Sequence, residues 1–586
     1  MHEPQEERPV KPKTLLPAML LAGLVMLAGC SASRPAAEAQ KPTPTPTIAD
    51  ASPAPAVASE PLMNQAAPPA LGEVAAAPAD MARSLNASAA GRLTIMPVLP
   101  PMPQPVPDVN TENYTHHDDN PVQLASEQPV STFSLDVDTG AYSNVRRILN
   151  SGRLPPTDAV RAEEFINYFD YGYTPPADRE QPFSVTTELA PAPWNAQRQL
   201  LLVGIQGYRV PPEQIPASNL VFLIDTSGSM AAPDKLPLLQ ASLKQLVHEL
   251  RPQDRLAIVT YAGSAGVALP STTGDHHAAI DAAIDQLRAA GSTNGAAGLE
   301  TAYAQAAQGF IKNGVNRVIL ASDGDFNVGM VNAEALKTLV QERRKSGIAL
   351  TTLGFGNGNY NDAMAMMLAD AGNGSYHYID NLQEGRRVLV DELSATLLTI
   401  AGDVKIQIEF NPAQVQEYRL IGYEKRLLQR EDFNNDQVDA GEIGAGANVT
   451  AIYEITPTGS AAARILPLRY GHGVPAPKSG ELAFLRLRYK LPGQSASKLV
   501  EQPIAATPED HASERLRFAA AVAAFADALR GGKYLDGYDY PQIAELANTA
   551  RGSDADGYRA GFVQLVKLAG GLATRRPGEA RQPRRD

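Results

Sequence analysis

Cysteine is all but missing from this 586-residue chain: Cys30 stands alone, so no internal disulfide can staple any part of it. Basic charge is also short. Lys and Arg number 51 against 64 Asp and Glu, a formal net charge of −13. That balance excludes a nucleic-acid partner, which needs a basic face. Long apolar runs are missing too, because the run ahead of Cys30 falls short of the ~20 residues a spanning helix prefers. No repeat of fixed period is present, no Gly-x-Ser-x-Gly elbow occurs, and no histidine is placed to activate Ser227 or Ser229, which excludes a serine hydrolase. What is there suits a folded protein. Hydrophobic residues make up 44%, enough for a sizeable core, and the length allows two or three domains.

The amino-terminal end carries Arg8, Lys11 and Lys13, then "LLPAMLLAGLVMLAGC", which closes in small residues as a secretory signal does. Its end, "LAGC", resembles the bacterial lipobox. The resemblance implies that 1–29 is a lipoprotein signal peptide and that Cys30 becomes the lipidated first residue, a membrane anchor. Ser31 stands where an aspartate would direct retention, so the outer membrane of a bacterial envelope is favoured over the inner. Residues 30–117 are dominated by Ala, Pro, Ser and Thr and read as a disordered tether, reaching on the order of 200 Å. "THHDD" at its end has metal-ligand residue types in a polar, flexible context, and reads as solvated linker; order is expected from near Pro121. The last residues, 574–586, form a basic disordered tail.

Between these ends the pattern changes several times. An α+β module spans 118–217, with one helix presenting Ala141, Val145, Ile148 and Leu149 and another presenting Phe165, Ile166 and Phe169. Strands follow, with Trp194 at a bend between them. Over 218–398 the strands "LVFLID", "RLAIVTYAG", "GVALP", "NRVILASDG", "IALTTLGFG" and "GSYHYID" alternate with helices at 236–250, 278–289, 296–312, 333–345 and 361–371. That alternation predicts an α/β fold, a doubly wound, mostly parallel sheet covered on both faces. A β-rich module follows at 399–500 and a small helical part at 501–573, with Phe518, Val522, Phe525 and Leu529 at helix spacing. The strands within 183–210 and 403–491 each have one apolar face. We expect them to pair into one β-sandwich-like domain, with the α/β unit inserted between its halves. "EDFNNDQVDAGE" places Asp432, Asn434 and Asp436 at the first ligand positions of a calcium loop but lacks its glycine and terminal glutamate, and reads as a polar hairpin.

The chemistry gathers at the carboxyl ends of the parallel strands, where open α/β sheets bind ligands. The first strand ends in "DTSGS", giving Asp225, Ser227 and Ser229. The loop "GSTNGAAG" gives Thr293, and "ASDGD" gives Asp323. Two carboxylates and three hydroxyls suit Mg²⁺, Mn²⁺ or Ca²⁺ rather than zinc. Gly228 is expected to let the backbone turn sharply between the serines, and Asp325 reads as a turn residue. This ordered set resembles the metal-ion-dependent adhesion site of von Willebrand factor type A (VWA) domains at all five positions. The resemblance implies that Ser227, Ser229 and Thr293 offer hydroxyl oxygens to the metal. Asp225 and Asp323 would bind it directly or through water, and the sixth position would wait for an acidic side chain of a protein ligand. The flanks, "PVSTFSLDVDTGAYSNVRRIL" with "VRAEEFINYFDY", and "RFAAAVAAFADALR", resemble the modules around such domains in bacterial exported proteins. No enzyme is expected. A haloacid-dehalogenase-like phosphatase needs an acid two residues after its nucleophile, where Ser227 stands. Export also argues against a nucleotide-driven partner, since the envelope lacks ATP. A purely structural envelope protein is the other alternative.

Overall fold

The computed structural model describes residues 112–135, 138–291, 295–324, 333–392, 398–438, 440–465 and 480–574. Cys30, the signal segment, most of the tether, Thr293, Asp325 and the basic tail from 575 onward lie outside the described residues.

The inserted unit is built as its alternation predicts. Strands β5 (Ser218–Asp225), β6 (Arg255–Tyr261), β7 (Ala265–Thr273), β8 (Val315–Ser322), β9 (Ala349–Phe355) and β10 (Tyr376–Ile379) form a sheet in the order β10-β9-β8-β5-β6-β7. All neighbours are parallel except β6 and β7. The linker between those two is only 262–264, too short for a crossover, so β7 must return as a hairpin partner. Because side chains alternate along a strand, both faces are apolar. Leu220, Phe222 and Ile224 of β5 join Ile258, Ile319 and Leu353 under helices α3 (Leu236–Glu249) and α4 (His277–Gln286). Val221 and Leu223 join Val259, Val318 and Leu350 under α5 (Gly295–Gln308), α6 (Ala333–Arg344) and α7 (Asp362–Ala371). A short helix, α8 (Leu382–Arg386), continues into a π-helical turn at Arg387–Asp391.

The flanking strands form one sandwich across the insertion. The first sheet runs β1-β12-β14-β4-β3, with β1 (Gln123–Leu124), β3 (Phe183–Ala192), β4 (Asn195–Gly207), β12 (Val415–Ile421) and β14 (Asn448–Pro457). Its central pair joins the two halves of the sequence: Gln199 to Gln206 of β4 lie antiparallel to Ile455 to Asn448 of β14. The second sheet is centred on β11 (Thr399–Phe410), flanked by β15 (Glu481–Lys490) with β16 (Ser497–Ala505) beyond it. On the other side, β11 pairs with β13 (Gly441–Gly444) and β2 (Val130–Ser134). Leu201, Val203 and Ile205 of β4 meet Ile406, Ile408, Leu485 and Leu487 between the sheets. The opposite register, Leu200 and Leu202, faces helices.

Those helices come from both ends of the folded chain. α1 (Gly140–Asn150) and α2 (Ala162–Ile166) pack with α9 (Glu514–Leu529), α10 (Tyr540–Thr549) and α11 (Tyr558–Ala573) in one cluster. α9 is buried over Phe518–Ala526 on every side, which its alanines permit because a neighbour can approach any face. The helical part is therefore not a separate appendage. α2 is shorter than its pattern suggested, five residues, yet Phe165, Ile166 and Phe169 are all buried as expected.

Order also begins earlier than Pro121. The Glu112 carboxylate accepts from Arg147 at 2.9 Å and from the Gly358 amide at 3.0 Å. Asn113 bridges to Asn361, and His117 and Asp119 both contact Arg530. The "THHDD" stretch is tied down through His117 and Asp119 by Arg530 and the buried Asn120, while Thr115, His116 and Asp118 stay exposed to solvent as expected.

Candidate functional site

β5 is buried along its whole length and delivers Asp225 at its carboxyl end with no exposed surface. One carboxylate oxygen accepts the Ser227 amide at 2.8 Å, the Asx geometry that folds the chain back at once. The other accepts the Tyr261 hydroxyl and the Ser322 hydroxyl, each at 3.3 Å. Those donors end β6 and β8, so three adjacent strands orient one carboxylate. Ser227 Oγ lies 3.0 Å from Ser229 Oγ, with Ser227 buried and Ser229 exposed. Burial pushes the Asp225 pKa up to about 6, partly opposed by the Ser227 hydrogen bonds, with nearby Asp323 adding to the rise.

Asp323 follows β8 and is fully buried, 2.8 Å from the Nζ of Lys235, which also reaches Asn359 Oδ1 at 3.4 Å. Gly324 next to it has φ +88, and a Cβ there would meet the Asn361 amide at 2.2 Å, so this turn requires glycine. Gly228 does not. It is absent from the left-handed region, and a Cβ there would sit 3.6 Å from Gly291 O, an ordinary contact. The freedom expected at Gly228 goes unused because Asp225, through the Ser227 amide, already shapes the turn.

Of the sequence-derived set, Asp225, Ser227, Ser229 and Asp323 come to one rim, while Thr293 lies outside the described residues. The donors are hydroxyls and carboxylates, the oxygen chemistry that suits a hard cation. Lys235, Tyr261 and Ser322 were not anticipated. Tyr261 and Ser322 were findable, since both close strands beside β5; nothing local marks Lys235, 88 residues from Asp323. In the "EDFNNDQ" loop the carboxylates take protein partners: Asp436 accepts from Arg488 at 3.1 Å and from Ser497, and Asp432 accepts the Gln429 amide at 3.1 Å. His377, buried, lies between Thr139 and Ser375 in β10, away from the serines.

Three family models match the chain. "von Willebrand factor" covers 108–202, "von Willebrand factor type A domain" covers 219–391, and "Uncharacterized protein YfbK, C-terminal" covers 395–572. "Uncharacterized protein YfbK" of Escherichia coli is 54% identical over 471 residues, 79% of this chain and 82% of the relative. "Uncharacterized protein sll0103" of Synechocystis is 30% identical over 168 residues, 28% of this chain and 38% of that protein. Among solved structures, a von Willebrand factor type A protein from Catenulispora acidiphila superposes with TM-score 0.38 at 15% identity, covering 65% of this chain and 89% of its own.

Proposed function

Since the chain belongs to the family of Escherichia coli YfbK, a VWA domain followed by the YfbK C-terminal domain, we propose that it is a binding protein of the bacterial envelope. Its rim holds a divalent cation, Mg²⁺ or Mn²⁺, and through it an acidic side chain of a protein ligand. The observation that carries this reading is the pair of serine hydroxyls 3.0 Å apart, beside a carboxylate oriented by three strands. Ser227 and Ser229 would offer neutral oxygens, with Asp225 and Asp323 supplying charge and Thr293 completing the set. A bound ion with mostly neutral direct ligands keeps positive charge and attracts an external carboxylate. The role is adhesion or scaffolding, and the anchor is lipid at Cys30, in the outer membrane. A hydrolase gains no support, because Ser227 holds the acid's place and is paired with another hydroxyl.

The test is calorimetric titration of the full chain with Mn²⁺. Ser229→Ala should weaken binding ~10-fold and Asp225→Ala ~100-fold, since orientation and charge fail together in the second. Equal binding by wild type and Asp225→Ala overturns the metal reading. Partner capture from crosslinked membranes that persists undiminished in EDTA overturns the metal-bridged ligand.

A further inference from the structure

A second concavity lies at the far end of the same sheet. Arg317 is near the start of β8 and Asp323 follows its last residue, so the two are separated by about 20 Å of strand. Around Arg317 the type A unit, the sandwich and the segment after α2 border a half-open cavity of about 570 Å³. That volume is typical of a small-molecule site.

Four arginines line it, and three of them meet carboxylates. Arg209 faces Asp170 at 3.7 Å, and Arg387 faces Glu384 at 3.0 Å and Glu392 at 2.8 Å. Arg426 faces Asp138 and Asp370, both at 3.0 Å. Arg317 differs. It is only 4% exposed, yet among the described residues it forms no ion pair. Its one hydrogen bond runs from Nη1 to the neutral Thr351 hydroxyl at 2.6 Å, and its buried Nε has no partner. Burial pulls its pKa down to about 10, with Glu442 the one charged group opposing the fall, so the guanidinium stays protonated at neutral pH.

A buried charge without a counter-ion is costly, and such groups are normally paired. With Nη1 occupied and Nε closed off from the cavity, Nη2 is the nitrogen left to donate a charge-assisted hydrogen bond to a carboxylate. The wall also presents Ser375, whose hydroxyl is 2.9 Å from His377 Nε2, and Asn448, whose side-chain oxygen is buried without a partner. A ligand with a hydroxyl or amine beyond its carboxylate would meet the Ser375 hydroxyl.

We propose that this cavity is a binding site for a small carboxylic acid, anchored by its carboxylate on Nη2 of Arg317. The site is independent of the metal rim, and the proposal does not rest on the metal reading.

The experiment is thermal unfolding of the full chain against acetate, lactate, succinate, glutamate and inorganic phosphate at constant ionic strength, with EDTA present. At saturating concentrations a carboxylate should raise the midpoint by about 1–2 °C, and a hydroxy or amino acid should act below the concentration acetate needs. Arg317→Met should abolish the shift while unfolding, without ligand, at or above the wild-type midpoint, because a buried charge without a direct ion pair has been removed. Arg317→Lys should retain charge but move it away from the Nη2 position and require ~10-fold more ligand. Absence of any carboxylate effect on the wild type overturns the proposal. So does a shift that survives Arg317→Met, or stabilisation by phosphate alone. If Arg317→Met fails to fold, saturation-transfer NMR of the carboxylates on wild type and Arg317→Lys decides: equal transfer to both overturns the site.

Discussion

Lys235 Nζ lies 2.8 Å from Asp323 Oδ2, a buried ion pair at the rim where the cation is proposed to bind. The lysine stem packs against Gly356, whose hypothetical Cβ would overlap it at 2.2 Å, so the side chain runs in a fitted channel. An internal cation thus sits on one of the two carboxylates a metal would use.

Competition between the two cations is the first expected outcome. Lys235→Met should tighten Mn²⁺ binding by about tenfold, the equivalent of ~1.4 kcal/mol of ion pairing no longer displaced. The metal-free variant should meanwhile unfold at a lower temperature, because the buried Asp323 loses its ion pair with the lysine. Calorimetry and thermal unfolding with and without Mn²⁺ read both effects. Weaker metal binding by Lys235→Met would show that the lysine orders the rim instead.

The second concerns the joint between the α/β unit and the helices. Arg161 is buried and donates to Asp362 at 2.7 and 3.1 Å and to Glu164. Asp362 begins α7 of the inserted unit and also accepts from Tyr376 at 2.7 Å. Arg161→Ala strands two buried carboxylates and should cost about 3–5 kcal/mol in urea unfolding. A loss below ~1 kcal/mol would mean that the joint is relaxed by water.

Acidification should act through His377. Burial, then Arg387, holds its pKa down at about 4, below the ordinary 6.5. The unfolded chain therefore binds a proton that the folded chain refuses between those values. Stability falls as pH drops from about 6.5 towards 4, by ~2–3 kcal/mol for this group, and is fully present above that window. His377→Gln should flatten that part of the stability–pH curve relative to wild type. Parallel curves for the two proteins would contradict the assignment.

Lipid attachment is tested at Cys30. Cys30→Ala should abolish metabolic labelling with a clickable palmitate and leave a slower, uncleaved species on a gel. Undiminished labelling of the variant would remove the proposed anchor.

Much of this architecture is legible in the residues because it depends on local order. Alternation in the flanking strands announces one apolar face for a sandwich, although β4 and β14 prove buried on both, and "LVFLID" followed by "DTSGS" names a buried strand and what stands at its end. Helix positions follow from the spacing of apolar side chains within one segment. Asp225, Ser227 and Ser229 come together through turns a few bonds long, and the short 262–264 linker already dictates that β7 runs back along β6.

What the tertiary structure decided are relationships with no local trace. Lys235 meets Asp323 across 88 residues, Arg161 meets Asp362 across 201, and His117 meets Arg530 across 413. A lysine or arginine looks the same in sequence whether it ends in water or against a buried carboxylate, because partner choice depends on where whole elements dock. The same holds for Arg317: its position in a strand was readable, but its lack of an ion pair beside a cavity emerges only when three parts of the chain meet around it.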